Sequence, residues 1–499
     1  MERLPTRLYT AQQVKQGEQL AAQQAGVEMY TLMQRAGKAV YQRIRYQYPN
    51  IKHLSILCGC GNNGGDGFVV AKLAQKDGLD VQLYLYGDEA KISGDAKKAK
   101  QAWLNGGGEI SSIDSFNAGD ADLIVDGLLG TGLSCDVREP MQVIIGKINE
   151  ANLPVVSIDI PSGLCSDTGS ILGAAISANS TVTFIGVKQG LMTGQARSVV
   201  GELHFAGLGV DEEFTQLASH SALSLGSESV KHLLPKRCPT AHKGNHGRLL
   251  CIGGNEGYSG AIRLCASAAA RTGAGLIRTL CHQSSTLALQ VGCPEVMTRS
   301  WNGNSELLSE ALQATDVLAL GPGLGTDNWA KTLFLACKSS TKAKVLDADA
   351  LNLLANEPSA DHARVITPHP GEAARLLGCS VATVEQNRFQ AVKDLQNKYG
   401  GVVVLKGAGT LINDGHDIYI CNAGNPGMAT GGMGDVLTGI IAAMLAQGLS
   451  LSDAAKVGTL IHSVAADELV QQYGQIGLLA SDVIPASRAA IQHCLSLGE

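Results

Sequence analysis

The residues of this chain whose types and spacing could do chemistry are acids set in or beside glycine-rich turns. The first such turn, Gly59-Cys60-Gly61-Asn62-Asn63-Gly64-Gly65-Asp66-Gly67, satisfies G-x-G-x-x-G at Gly59, Gly61 and Gly64, with Asp88 at about the distance of a ribose-binding acid. It reads as a dinucleotide loop with one difference. Asp66 sits where the following helix should begin, so its carboxylate would occupy the positive helix end that such a loop offers to pyrophosphate. Asp66 as a plain N-cap is the alternative. Asp126-Gly127-Leu128-Leu129-Gly130-Thr131-Gly132 and Asp159-Ile160-Pro161-Ser162-Gly163 likewise place an acid at the end of an apolar run. Ligands of open α/β sheets collect at the carboxyl ends of strands, so Asp66, Asp126 and Asp159 are expected to meet. Three converging carboxylates repel unless a cation or a raised pKa offsets them, which calls for a bound metal ion or an acid held ready for proton transfer.

Further along, Asn422-Ala423-Gly424-Asn425-Pro426-Gly427 and Gly431-Gly432-Met433-Gly434-Asp435 lead into the apolar run Val436–Leu445. Unhindered amides at a helix N-terminus form an anion hole, and Asp435 at its mouth can take the proton of an attacking hydroxyl, an arrangement suited to phosphoryl transfer. A mobile glycine loop with Asp435 as N-cap is the plainer alternative. No G-x-x-x-x-G-K-[ST] loop is present. Lys406-Gly407-Ala408-Gly409-Thr410, Gly321-Pro322-Gly323-Leu324-Gly325 and Thr367-Pro368-His369-Pro370-Gly371-Glu372 are three more strand-end turns, weak singly and together one rim around a cleft. His369 in its proline-framed loop reads, by itself, more readily as structural than catalytic. His242 and His246 are four apart, yet Gly244 and basic neighbours argue against a zinc-bearing helix.

These turns need strands before them and helices after. Strands are predicted at Leu54–Leu57, Val81–Tyr86, Leu123–Val125, Val155–Ile158 and Thr181–Phe184, and in the second half at Arg248–Ile252, Val317–Leu320, Lys344–Leu346, Arg364–Ile366 and Val402–Lys406. Helices are predicted over Phe68–Lys76 and Asp435–Ala446. Such alternation is the pattern of a parallel sheet covered by helices. The Ser-rich stretch Thr215–Ser229 carries no strand pattern, and a boundary falls near residue 222, giving domains 1–222 and 223–499.

Composition agrees with a two-domain enzyme. The chain has 499 residues, which at about 150–250 per α/β domain favours two large domains. Its 60 glycines are an excess over the usual share of about 7%, without a three-residue period. A net charge of −6 and only 17% charged residues give no pull towards nucleic acid or acidic lipid. Thirteen cysteines, with no C-x-x-C pair, read as reduced and mostly buried thiols. Met1-Glu2-Arg3-Leu4-Pro5 lacks the apolar core of a signal peptide and no run reaches the length of a membrane helix, so a cytoplasmic protein without membrane contact is expected. A homo-oligomer is expected.

The three N-terminal motifs resemble the signatures of NAD(P)H-hydrate epimerase domains, over roughly residues 1–220. The resemblance implies a Rossmann-like three-layer α/β/α domain. Hydrated nicotinamide dinucleotide would be bound by Asn62, Asn63, Gly64, Gly65 and Asp66, by Gly130, Thr131, Gly132, Leu133, Ser134, Cys135 and Asp136, and by Asp159. A potassium ion would be held by Asn63, Asp126 and Ser162. Oxygen ligands of this kind suit a hard cation. Asp159, near the carbon that bears the hydroxyl, is the expected proton shuttle.

The second set, Gly253-Gly254, Ser259-Gly260-Ala261, Gly321–Gly325, Asp347-Ala348-Asp349-Ala350-Leu351, Thr367–Glu372, Lys406–Thr410 and Gly431–Asp435, resembles the ribokinase-like ADP/ATP-dependent NAD(P)H-hydrate dehydratase domain over about residues 227–499. It implies nucleotide contacts at Lys406, Gly407, Ala408, Gly409, Thr410 and Gly434, hydrate contacts at Ala261, Gly323, His369 and Asp435, catalysis by Asp435, and magnesium with ADP or ATP as co-substrate. A small-molecule kinase that releases a stable phosphoester remains the rival for this half, and a dinucleotide-sensing module for the first.

Overall fold

The computed structural model describes residues 3–496, and the chain divides into two compact units between Leu223 and Ser224. The first unit holds a seven-stranded parallel sheet in the order Ser111–Ser112, Asp80–Leu85, His53–Cys58, Leu123–Gly127, Val155–Ile158, Ser180–Phe184, Glu202–Ala206. Strand residues alternate between two cores. Ile56 and Cys58 face the helices Met29–Gln47, Asn62–Lys76 and Gly94–Asn105, while Leu57 and Ile124 face Glu139–Glu150, so both faces are covered. After His53–Cys58 the chain builds outward on one side, then returns to add Leu123–Gly127 on the other. The switch point therefore falls between the two strands that feed the first glycine turns, where open α/β sheets bind ligands. A short strand, Arg7–Tyr9, pairs with Val187–Lys188 on one side and with Ala222–Leu225 on the other.

The second unit orders its strands Met297–Ser300, Leu276–Cys281, Arg248–Ile252, Val317–Leu320, Ala343–Leu346, Arg364–Ile366, Val402–Leu405, Leu411–Asn413, Ile418–Cys421. The last two pair antiparallel and the rest parallel. Its switch point lies between Arg248–Ile252 and Val317–Leu320, at Gly253-Gly254 and Gly321–Gly325. Helix Met433–Ala446 is buried at Met433 and at every position from Val436 to Ala446. A helix apolar all round is a core helix. It packs on Ser259–Arg271 so closely that a Cβ at Gly439 would lie 2.1 Å from the Cys265 carbonyl oxygen. No helix among the described residues is long and apolar enough to cross a membrane.

Several elements differ from expectation. Thr215–Ser229, predicted strand-free, contains the strand Ala222–Leu225. The helix predicted from Phe68 begins at Asn62, despite six residues of low helix propensity in a row. Contact explains those glycines: a Cβ at Gly64 would sit 2.0 Å from the Gly59 carbonyl oxygen. Asp66 is thus inside the helix, with Gly61 as N-cap. Asp435 likewise stands in the first turn of its helix behind the cap residue Gly432, so neither acid is an N-cap.

Candidate active sites

In the first unit the three predicted acids have different partners. Asp126 is fully buried and its oxygens accept from the Ser162 hydroxyl (2.5 Å) and amide (2.9 Å), the Ser157 hydroxyl (2.8 Å) and the Leu128 amide (3.3 Å). Burial pushes its carboxyl up and these donors pull it back. The network extends to the glycine turn. The Leu129 amide donates to Ser162 Oγ (2.8 Å), and Asn63 Nδ2 donates to the Leu129 carbonyl (2.8 Å). Asn63, Asp126 and Ser162 are therefore brought together. The Asp126 carboxylate is thus held by local hydroxyl and amide donors.

Asp66 and Asp159 do share surroundings, with two groups that had no sequence signal, Glu18 and Lys188. Asp159 has a left-handed backbone, φ +63°, a strained conformation for a non-glycine residue. Its Oδ1 accepts from Thr183 Oγ1 (3.0 Å), the Phe184 amide (3.2 Å) and the buried ammonium of Lys188. Burial first, then Asp159 and Glu18, hold the Asp66 carboxyl well above the usual range. Burial also lifts Glu18 to about 7, with Lys188 opposing. The Gly130–Asp136 turn forms a largely exposed rim: Gly132, Ser134, Cys135 and Asp136 are exposed, and a Cβ at Gly130 would sit 3.3 Å from that of Asn63. Asp88, the expected ribose acid, is exposed and caps the turn Glu89–Lys91 by accepting the Ala90 amide.

In the second unit three neighbouring parallel strands each deliver one charged residue to a common rim: Asp347 after Ala343–Leu346, Glu372 after Arg364–Ile366 and Lys406 after Val402–Leu405. Lys406 Nζ lies 2.7 Å from Asp347 and 3.7 Å from Glu372. Asp347 also accepts from Thr438 Oγ1 (2.9 Å). Burial opposes both charges of the pair, yet Lys406 holds the Asp347 carboxyl below its ordinary value, and Asp347 with Glu372 holds the Lys406 ammonium above its own. The start of Met433–Ala446 brings in the rest: a Cβ at Gly434 would be 3.1 Å from both Asp347 Oδ2 and Lys406 Nζ. Burial, then Asp347, lifts Asp435 to about 7. Burial lifts Glu372 to about 7, with Lys406 opposing.

His369 caps the helix Pro370–Leu377. Its Nδ1 accepts the Gly371 amide (3.0 Å), while its own amide donates to Glu372 (2.8 Å). Burial and Lys406 depress its imidazole. The histidine is therefore neutral at pH 7 and serves the helix start as well as the rim. Gly323, φ +59°, abuts Ala261: its Cβ would lie 3.2 Å from that of Ala261. In the turn after Lys406, Thr410 Oγ1 donates to the Gly407 carbonyl (3.1 Å). Sequence reasoning gave Asp347 and Glu372 no role. An acid directly after a buried strand is the signal that marks Asp347.

One unit thus places hydrogen-bonded carboxylates at a dinucleotide-type switch point, and the other sets a carboxyl group, an ion pair and glycine amides at the start of a core helix. Together they define a two-site α/β enzyme. A family model described as YjeF-related protein N-terminus matches residues 29–190, and one described as NAD(P)H-hydrate dehydratase matches 249–488. The bifunctional NAD(P)H-hydrate repair enzyme Nnr of Vibrio cholerae is 51% identical over 97% of this chain and 98% of its own length. Two solved structures resemble the second unit. A ribokinase-like superfamily protein from Enterococcus faecalis is 29% identical, with TM-score 0.51, over 54% of this chain and 95% of that one. The ADP/ATP-dependent NAD(P)H-hydrate dehydratase from Bacillus subtilis, co-crystallised with ATP/Mg2+, is 26% identical, with TM-score 0.50, over 54% and 97%. The chain belongs to the bifunctional NAD(P)H-hydrate repair enzymes, with an epimerase domain followed by a ribokinase-like dehydratase domain.

Proposed function

We propose that the first unit interconverts the R and S epimers of hydrated NADH or NADPH, and that the second dehydrates the S epimer at the expense of ADP or ATP. The observation that carries the second half is Asp435, a carboxylate in the first turn of a core helix, beside the Lys406–Asp347 pair. Hydroxide is a poor leaving group, its conjugate acid having a pKa of about 15.7, whereas a phosphate ester leaves as an anion whose second pKa is about 6. Asp435 takes the hydroxyl proton as the phosphoryl group transfers, and the Gly434 amide with Lys406 meets the phosphate charge. The ring nitrogen then drives out phosphate, and loss of a neighbouring ring proton restores the double bond. Linking the two activities in one chain keeps the dehydratase supplied with the epimer it uses.

The first cleft suits a potassium ion in donor chemistry. Asn63 Nδ2 is committed to Leu129, which leaves its Oδ1 to join Ser162 Oγ and the Asp126 carboxylate, linked to it through Leu129, as oxygen donors. An all-oxygen set with one negative charge fits a hard monovalent cation. When bound, the ion supplies positive charge beside the glycine turn. Among the described residues no group of three His, Cys, Asp or Glu is spaced to hold a metal ion. Magnesium therefore fits as a companion of the nucleotide phosphates, where it neutralises their charge.

The test is to incubate the full chain with mixed NADH-hydrate epimers, with and without ADP or ATP and Mg²⁺. Free phosphate formed in step with reduced-nicotinamide absorbance, and consumption of both epimers, is expected. A stable phosphoester product refutes dehydration in favour of a kinase. Consumption of the S epimer alone refutes the epimerase.

A further inference from the structure

We propose that epimerisation is run by two carboxyl groups, Asp66 giving a proton to the departing hydroxyl and Asp159 taking one from the returning water, with Lys188 as the positioning residue that fixes which oxygen of Asp159 reacts. This rests on the epimerase reading above and extends it to the atoms.

The two oxygens of Asp159 are unequal. Oδ1 accepts three donors, from Thr183, Phe184 and Lys188, and Oδ2 accepts none among the described residues. Lys188 is 2% exposed, and its ammonium donates to Asp159, Thr183 Oγ1 (3.1 Å) and the Phe184 carbonyl (3.3 Å). An ammonium has three protons, so none is left for a substrate. The lysine holds the carboxylate and does not itself touch the reaction. With the backbone of Asp159 also held in a left-handed, strained conformation, the open Oδ2 is presented in one place. Strain of that kind persists where the surrounding structure over-determines it.

Asp66 is the opposite case. It is 8% exposed, and its carboxyl has no hydrogen-bond partner among the described residues, whereas the fully buried Asp126 has four donors. A buried, unpartnered carboxylate is costly, and the group avoids that cost by keeping its proton. The groups facing it are Asp159 after Val155–Ile158, Glu18 from Ala11–Ala25, Lys188 from Val187–Lys188 and the buried thiol of Cys58. Among these Lys188 is the only cation, and it is already committed to Asp159. One carboxyl that keeps its proton and one anchored carboxylate with a free oxygen supply an acid and a base to one cleft.

The hydrate carbon carries a ring nitrogen and a hydroxyl. The Asp66 proton passes to that hydroxyl, the C–O bond breaks with its electron pair leaving on water, and the nitrogen lone pair forms a C=N bond. Water then adds to the other face of the carbon, the nitrogen recovers its pair, and the surplus proton goes to Asp159 Oδ2. One proton has moved from Asp66 to Asp159, so the reverse inversion uses the same groups in exchanged roles.

Full chain without nucleotide, which silences dehydration, is given separated R or S hydrate in H₂¹⁸O and sampled at times short against uncatalysed exchange. Each inverted molecule is expected to carry one solvent oxygen. The isosteric Asp66→Asn should lower kcat in both directions by about 10²–10⁴-fold, the range for one proton-transfer group, with KM within about threefold of wild type. Lys188→Met should lower kcat, and Lys188→Arg should recover part of it. Inverted product with no ¹⁸O, or Asp66→Asn with wild-type kcat and only a raised KM, overturns the two-carboxyl scheme and leaves the epimerase standing. Asp159→Ala with full R/S interconversion instead removes Asp159 from catalysis, and absence of inversion by the wild-type chain removes the epimerase itself.

Discussion

Replacing Lys406 with Met isolates the electrostatics of the second cleft. The substitution leaves the Asp347 carboxylate, 1% exposed, without the ammonium that lies 2.7 Å away. Breaking a buried ion pair by removing one partner costs about 3–5 kcal/mol. For a unit of this size each kcal/mol corresponds to roughly 2–4 °C of Tm, so the second unit is expected to melt about 6–20 °C lower. The pH dependence gives the sharper check. In the wild-type chain Lys406 depresses the Asp347 carboxyl against the effect of burial. That stabilisation is present above the carboxyl's unfolded pKa and is lost as pH falls through the depressed folded value. In the variant burial acts without Lys406, the folded carboxyl rises above its unfolded value, and the sign reverses. The variant is then weakest at alkaline pH and gains on the wild type as pH falls. Urea unfolding followed through Trp301 and Trp329, from about pH 5 to about pH 9, reads this out. The double variant Lys406→Met/Asp347→Asn should recover most of the loss, because the buried charge goes with its partner. A deficit constant across pH, or a double variant no more stable than the single one, refutes this account.

Three further outcomes follow from the geometry. Gly64→Ala places a methyl 2.0 Å from a backbone oxygen and should cost about 1–3 kcal/mol, abolishing epimerisation while hydrate-dependent phosphate release from pure S hydrate persists. With Asp435, held at about 7, in its proposed role as base, dehydratase kcat should climb through that value to a plateau, being roughly tenfold lower one pH unit below it; Asp435→Asn should remove the activity, and a flat profile from pH 6 to 8 would count against the assignment. Asp126→Asn withdraws the negative charge from the Asn63–Ser162 oxygen set, and titrating KCl against epimerase rate should show the half-saturating concentration raised at least tenfold, about 1.4 kcal/mol.

Much of the scaffold was legible because buried parallel strands are short apolar runs. Val155–Ile158, Arg248–Ile252, Val317–Leu320 and Arg364–Ile366 coincide with their predicted bounds. Strands that break that pattern escaped. Leu276–Cys281 carries Arg278 and Thr279 in its middle, Met297–Ser300 lies at an edge and is half exposed, and Glu202–Ala206 begins with a charge and includes a histidine. The glycine turns announced themselves through composition, an excess used for close backbone approach at Gly59 and Gly64 and for left-handed backbone at Gly323 and Gly432. Lys188 and Glu18 could not be read in the same way. Their partners stand far off in sequence, Asp159 being 29 positions from Lys188, and a buried ammonium is indistinguishable from a solvated one until the fold surrounds it. The donors around Asp126 were hidden for a related reason: proximity to a switch point does not say which acid the local hydroxyls will claim.

The helix that presents Gly434 and Asp435 is enclosed by the core from Val436 to Ala446, so its first turn cannot shift without disturbing the packing behind it. Opening of the helix behind Asp435 is thereby tied to the core of the second unit. Heat or denaturant is expected to take that helix down together with the second unit, and the dehydratase with it.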